Sequence, residues 1–383
     1  MNSSSTIELS KSALKNNIKF LRSLFDDSTI LTSVVKSNAY GHGIEEIVPV
    51  MEECGVNSFA VFSATEAIRV KGSLKENKTI IILGYVPDEL VEWVIDNGVE
   101  CYISNFERAD SLMLAAKKLN KKAIVHIDLE TGMNRIGLNF NDLQKVISII
   151  KENRENFHVR GVCTHFAGAE SISNYVRIQN QFKLYKELVD YLKKEGIKPD
   201  ILHTACSAAA ITYPETRLDM VRIGIMQYGF WSSNETFIQY IHNKTNKRDP
   251  LRRVLQWKTK IMDVKQVKLG EFIGYGNFFQ AHNDMKIAII PIGYYDGYSR
   301  SLSNQGKVLI NNQRVAIIGM VNMNMIIGDV SKLNNVKIGD EVVIIGKQGK
   351  NQLSVASFSE LSNQVNYELL TRLPKDINRI QIK

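Results

Sequence analysis

The sequence predicts a (β/α)8 barrel followed by a mostly β domain. From about Leu9 to Gly229, eight strand-like runs alternate with helix-like stretches. After Trp257 the rhythm changes to short β-rich segments with little helix between them. A polar stretch at 231–253 separates the two patterns. Eight β units in about 220 residues suit a closed barrel of typical size ~250, with a doubly wound sheet as the alternative, because strand count is easier to read than closure.

The barrel strands are expected at 30–35, 58–62, 79–83, 100–103, 122–127, 157–163, 200–203 and 219–223, each a short apolar or β-branched run. Helical periodicity is clearest at 105–118, 140–153 and 176–195. In the second domain, segments 257–267, 286–292, 307–309, 314–319, 325–330 and 341–346 are divided by turn signals such as Gly270, Asn283-Asp284 and Asn311-Asn312. Segment 231–253 turns basic through Lys244, Lys247 and Arg248 and carries Asp249-Pro250 as a breaker, so it reads as a linker or surface excursion. We place one domain at 9–235 and the other at 236–383, the latter with an N-terminal strand at 1–8.

Composition is that of an ordinary globular chain: 383 residues, 44% hydrophobic and 23% charged. The net charge of +8 is spread along helix faces (Lys117, Lys118, Lys121, Lys122; Lys183, Lys186, Lys193, Lys194). No basic run is interleaved with stacking aromatics, which argues against a nucleic-acid module. Cys54, Cys101, Cys163 and Cys206 share no CxxC spacing and read as reduced core thiols. Met1-Asn2-Ser3-Ser4-Ser5 lacks an apolar leader and no run approaches ~20 apolar residues, so the expectation is a cytoplasmic protein.

The chemistry concentrates at strand ends. Val34-Val35-Lys36-Ser37-Asn38-Ala39-Tyr40-Gly41-His42-Gly43 puts a lysine where the first strand stops and a glycine-bearing turn begins. Groups at that end of a barrel face the ligand, and an ammonium among apolar neighbours is disfavoured, which suits imine formation with a carbonyl cofactor. Later strands end in Asp128-Leu129-Glu130-Thr131-Gly132-Met133-Asn134-Arg135, in Thr164-His165, in Thr204-Ala205-Cys206-Ser207 and in Arg222-Ile223-Gly224-Ile225. Each alone is weak, but together with Lys36 they point to one site.

With Gly274-Tyr275-Gly276 and Val321-Asn322-Met323-Asn324 added, the chain resembles the alanine racemase family over nearly its whole length. The resemblance implies pyridoxal 5′-phosphate on Lys36, its phosphate held by Tyr40, Ser207, Gly224, Ile225 and Tyr367. It implies Arg222 facing the pyridine nitrogen, His165 stacked by the ring, and Arg135 with the Met323 backbone taking the substrate carboxylate. It also implies two bases, Lys36 on one face of Cα and Tyr275 on the other, the tyrosine coming from the second subunit of a homodimer. Through a hydrogen bond to Arg222, His165 could assist that tyrosine.

Five positions depart from the family pattern. Asp128 stands where many members carry a carbamylated lysine, and a carboxylate there could hold Arg135 without carbon dioxide. Cys206 replaces an asparagine, Asn324 an aspartate and Met320 an access-channel arginine, while Gly168 adds room beside His165. Tyr367, Tyr294 and Arg300 keep the pattern of a narrow, alanine-sized channel. The implied activity is interconversion of L- and D-alanine, with a broad or serine-type racemase as the alternative. A pyridoxal-phosphate-binding regulatory protein is more remote, since it would lack the β domain and Tyr275. A related decarboxylase would use a late cysteine as its acid, and none follows Cys206.

Overall fold

The structure is a computed structural model that describes residues 4–242, 244–355 and 367–383. Its described residues form two compact units. One comprises Leu14–Ser37 and Ile47–Arg252, and the other Met1–Ala13, Asn38–Glu46 and Arg253–Lys383.

The chain opens with β1 (Ser5–Ser10) and then supplies the barrel strands: β2 (Ile30–Val34), β3 (Ser58–Val61), β4 (Thr79–Ile82), β5 (Glu100–Ile103), β6 (Ala123–Asp128), β7 (Phe157–Cys163), β8 (Ile201–His203) and β9 (Met220–Ile223). Among the described residues these eight are all parallel, in the order β8-β7-β6-β5-β4-β3-β2-β9. Across the remaining seam, Asp219 N–H donates to Leu202 O at 3.1 Å and Arg222 N–H to Ala205 O at 3.0 Å, so the barrel is nearly closed. Strands covered on both faces need apolar runs rather than alternation, and that is what the sequence shows. The surrounding helices follow their periodicity. In Phe140–Glu152, Asn139 caps the N-terminus by accepting from Asp142 N–H, and Leu143, Val146, Ile147 and Ile150 form the buried stripe. Beside β6, a bulge opens between Val125 and His126, and Gly161 lies opposite the histidine.

The second unit is an antiparallel-rich sheet. Its strands are β1 with β10 (Leu255–Lys260), β11 (Asp263–Val267), β12 (Met285–Ile290), β13 (Lys307–Ile310), β14 (Gln313–Ile318), β15 (Ile326–Asp329), β16 (Glu341–Gln348), β17 (Asn351–Leu353) and β18 (Asn378–Ile382). The order is β11-β12-β15-β14-β13-β16-β10-β1-β18, with β17 on β16. Trp257 is fully buried and its indole N–H donates to Ser5 Oγ at 3.1 Å, fastening β1 to β10. Asn311 and Asn312, at φ 48° and 62°, make the tight turn between β13 and β14, a conformation that asparagine tolerates.

Two expectations change. Segment 257–267 is two strands, because Ile261 N–H bonds Asp340 O while the next residue, Met262, bonds Ile289 O. Segment 231–253 is not merely a linker. It carries the helix Asn234–Ile241, started by Ser233, whose hydroxyl accepts from Thr236 N–H; that cap lay hidden in a polar stretch.

Candidate active site

Lys36 leaves the C-terminal end of β2 half-buried. Burial lowers its pKa, with the charges of Arg135 and Arg222 acting the same way and Glu66 opposing them. A larger fraction of free amine follows, as a nucleophile requires. The backbone beyond it turns the wrong way. Ser37, Asn38, Ala39 and Tyr40 have φ of 53°, 55°, 54° and 53°, a single left-handed turn built without glycine. Each such L-residue costs roughly 1–2 kcal/mol. The turn is held by Gly43 N–H donating to Asn38 O at 2.9 Å and by Ile44 N–H donating to Asn38 Oδ1 at 3.3 Å. Buried His42 adds Nδ1–H to Ala39 O at 3.0 Å, and burial depresses its pKa to about 4. Strain kept this way beside a lysine makes the segment a candidate for function.

Across the barrel interior runs a file of polar groups. Buried Arg222 donates to Thr164 O and Thr204 O, both at 2.9 Å, and to His203 Nδ1 at 2.6 Å. Because arginine only donates, His203 must accept at Nδ1 and carry its proton on Nε2, which lies 2.8 Å from His126 Nδ1. His126 Nε2 in turn meets Glu100 Oε2 at 2.6 Å. The permanent cation of Arg222 is thereby joined to a carboxylate through two imidazoles, and burial with the Arg222 charge holds the His203 pKa well below its usual value. The expected hydrogen bond between His165 and Arg222 is absent among the described residues; both terminal nitrogens of Arg222 donate elsewhere. His165 still lies within electrostatic reach of Arg222, Arg135 and Lys36, and burial followed by those charges depresses its pKa to about 3. Glu100, His126 and His203 escaped the sequence reading; their signal was a polar residue at the start, middle or end of an apolar strand.

Asp128 closes β6, buried, with Cys163 Sγ 3.7 Å from its Oδ1. Burial raises its pKa to about 7 against the pull of Arg222. It makes no ion pair or hydrogen bond with Arg135 among the described residues, contrary to expectation; Arg135 is exposed and acts on it only through its charge. Glu130 organises that loop instead. Its carboxylate accepts from the backbone N–H of Gly132, Met133 (2.7 Å), Asn134 (2.9 Å) and Arg135 (3.4 Å). Although burial pushes its pKa up, these donors bring it below the usual range. The space expected beside Gly168 is filled: Asn174 Nδ2 donates to Gly168 O at 3.0 Å and would stand 2.3 Å from any Cβ there. Ser207 Oγ accepts from Gly224 N–H at 2.9 Å, which leaves the hydroxyl proton for an anion beside the turn Ile225–Tyr228. Cys206, half-buried, precedes it.

The other residues belong to the sheet unit. Tyr40 and Tyr367 meet edge to face with ring centres 6.0 Å apart. Tyr275 stands on a loop closed by Ile273 N–H to Phe279 O, between glycines with φ of 78° and 63°, and is 68% exposed. It lines a pocket of about 800 Å³ with Tyr294, Arg300, Met320, Met323 and Asn324. The Met323 carbonyl accepts from Tyr295 N–H at 3.0 Å. Arg300 spends one donor on Met320 Sδ at 2.9 Å.

The chain matches known proteins over nearly its whole length. The alanine racemase N-terminal domain family matches residues 9–231, and the alanine racemase C-terminal domain family matches 254–381. An alanine racemase of Leptospira interrogans is 33% identical over 383 residues, covering 99% of this chain and 96% of its own. Among solved structures, alanine racemase of Clostridium difficile 630 superposes with TM-score 0.90 at 31% identity, over 100% of this chain and 96% of that one. Alanine racemase of Bartonella henselae with covalently bound pyridoxal phosphate gives 0.83 at 27% identity, over 99% and 100%. A parallel barrel followed by a β-sheet unit therefore has its counterpart in known proteins: the chain belongs to the alanine racemase family.

Proposed function

We propose that the protein interconverts L- and D-alanine with pyridoxal 5′-phosphate on Lys36, as a homodimer. The observation that carries this reading is Lys36 at the C-terminal end of β2, within electrostatic reach of the buried cation Arg222. The residues fit the cofactor: an amine for its aldehyde, and for its phosphate the Ser207 hydroxyl, oriented by Gly224 N–H, with the N–H of Ile225. When bound, pyridoxal phosphate supplies an electron sink for charge at Cα.

The chain does the rest. Arg222, charged at every working pH, would stand by the ring nitrogen and disfavour its protonation, moderating the sink and suppressing side reactions. Lys36 takes or returns the Cα proton on one face. On the other face Tyr275 does so, from the second copy, where its exposed loop and the Met323 backbone complete the site. Arg135 binds the substrate carboxylate. Among the described residues no helix is long and apolar enough to cross a membrane, and all four cysteines are unpaired, in keeping with a cytoplasmic setting. A broader or serine-type range is the second reading, favoured by the methionines lining the Tyr275 pocket, since flexible thioether side chains adapt to different shapes.

Borohydride reduction followed by peptide mapping should place the reduced cofactor on Lys36, and side-by-side assays should favour L-alanine over L-serine. Label on another lysine would sink the cofactor assignment.

A further inference from the structure

The ladder between β2 and β9 ends before it reaches the chemistry. Its last pair is Ser33 with Ile223, short of Lys36 on one strand and of Gly224 on the other. Past that point a side chain takes over. Gln227, fully buried in the turn Ile225–Tyr228, accepts the Ser33 hydroxyl proton at Oε1 over 2.7 Å. Its Nε2 donates to Val34 O over 2.8 Å. The amide can face only one way, because a carbonyl must receive a donor. Tyr228 hydroxyl is a second donor to Val34 O, at 3.3 Å. The same turn is closed by Gln227 N–H on Gly224 O at 3.2 Å, and Gly224 N–H rests on Ser207. Asn17 fixes the Gln227 carbonyl from outside, Nδ2 to O at 3.1 Å. One buried amide thus ties the lysine strand to the anion-binding turn where backbone pairing has run out.

We propose that Gln227 is a positioning residue that sets the spacing between the Lys36 amine and the phosphate seat of Ser207, Gly224 and Ile225. This rests on the pyridoxal phosphate reading above. A ligand held at two points gains affinity from the second attachment only while the spacing matches, and loses that gain, not either single contact, when it drifts.

The test titrates full-length apoenzyme with pyridoxal phosphate, with pyridoxal, which lacks the phosphate, and with inorganic phosphate. Gln227→Met, which removes both bonds at near-constant volume, should weaken pyridoxal phosphate by about tenfold or more while the two single-point ligands stay within about twofold. A parallel loss for all three ligands, or no loss, overturns the proposal. Ser33→Ala removes one of the two Gln227 side-chain bonds, along with a contact to Met51 Sδ, and should show the same selective pattern at smaller size; it decides the matter if Gln227→Met does not fold, and an unchanged ratio there also overturns it. Failure of the wild-type chain to take up cofactor reducible onto Lys36 would instead overturn the underlying reading.

Discussion

At the scale of single residues, the site depends on groups whose charge the protein has altered. Lys36→Ala should abolish racemisation in both directions, whereas Tyr275→Phe should impair it unequally, because in the proposed function each base serves one face of the substrate carbon. Following solvent-deuterium incorporation from each enantiomer separately tests this; equal incorporation in Tyr275→Phe contradicts two bases. Asp128 makes a second prediction. Its ordinary pKa is 3.8 and its folded one about 7, so between these values the folded chain keeps a proton the unfolded chain releases. The contribution of Asp128 to stability is therefore greatest below about 4 and is lost as pH rises through 7. Asp128→Asn should flatten that slope in urea titrations. Catalytically, ionised Asp128 attracts Arg135, so the wild-type Michaelis constant should fall as pH rises through 7 and the variant's should stay high. Activity should not respond to bicarbonate. A variant with a normal Michaelis constant would reduce Asp128 to a structural role.

At the scale of elements, strands position what the chemistry needs by the side that each residue faces. Glu100, His126, His203 and Arg222 come from β5, β6, β8 and β9 and meet inside the barrel. Removing the Glu100 charge weakens its bond to the buried His126 Nε2, so Glu100→Gln should cost about 1–3 kcal/mol of unfolding free energy. Denaturant unfolding measures it, and a loss near zero would show that this bond adds nothing to the fold. Lys36 and Arg222 were legible because they end apolar runs in recognisable strings. The file was not, since its pairing spans up to 77 residues and exists only once the barrel closes. Glu130 was overlooked for the opposite reason: its partners are its own next few backbone N–H groups, a geometry that composition does not reveal. The Asp128–Arg135 bond was expected from closeness in sequence, but burial of one partner and exposure of the other keep them unbonded.

At the scale of the whole molecule, barrel and sheet were readable from the change of rhythm near Trp257, while the division of the 257–267 run needed long-range pairing to appear. The proposed function divides the bases between two copies. Lys36→Ala mixed with Tyr275→Phe, each inactive alone or nearly so, should recover activity through hybrid sites, up to about a quarter of wild type if subunits exchange at random and each dimer closes two sites. No recovery after exchange is verified by mass spectrometry would argue against shared sites.

The left-handed turn after Lys36 has a stereochemical corollary. At Ser37, φ of 53° is the mirror image of the ordinary helical value, the well a residue of opposite configuration prefers. Ser37 is exposed, so its side chain gives up little packing when changed. Ser37→Gly should therefore stabilise the fold by up to about 1 kcal/mol, and a semisynthetic chain with a D-residue at 37 by more. An enzyme proposed to make D-alanine would then hold, beside its own catalytic lysine, a place in its backbone better suited to the product's handedness than to the substrate's.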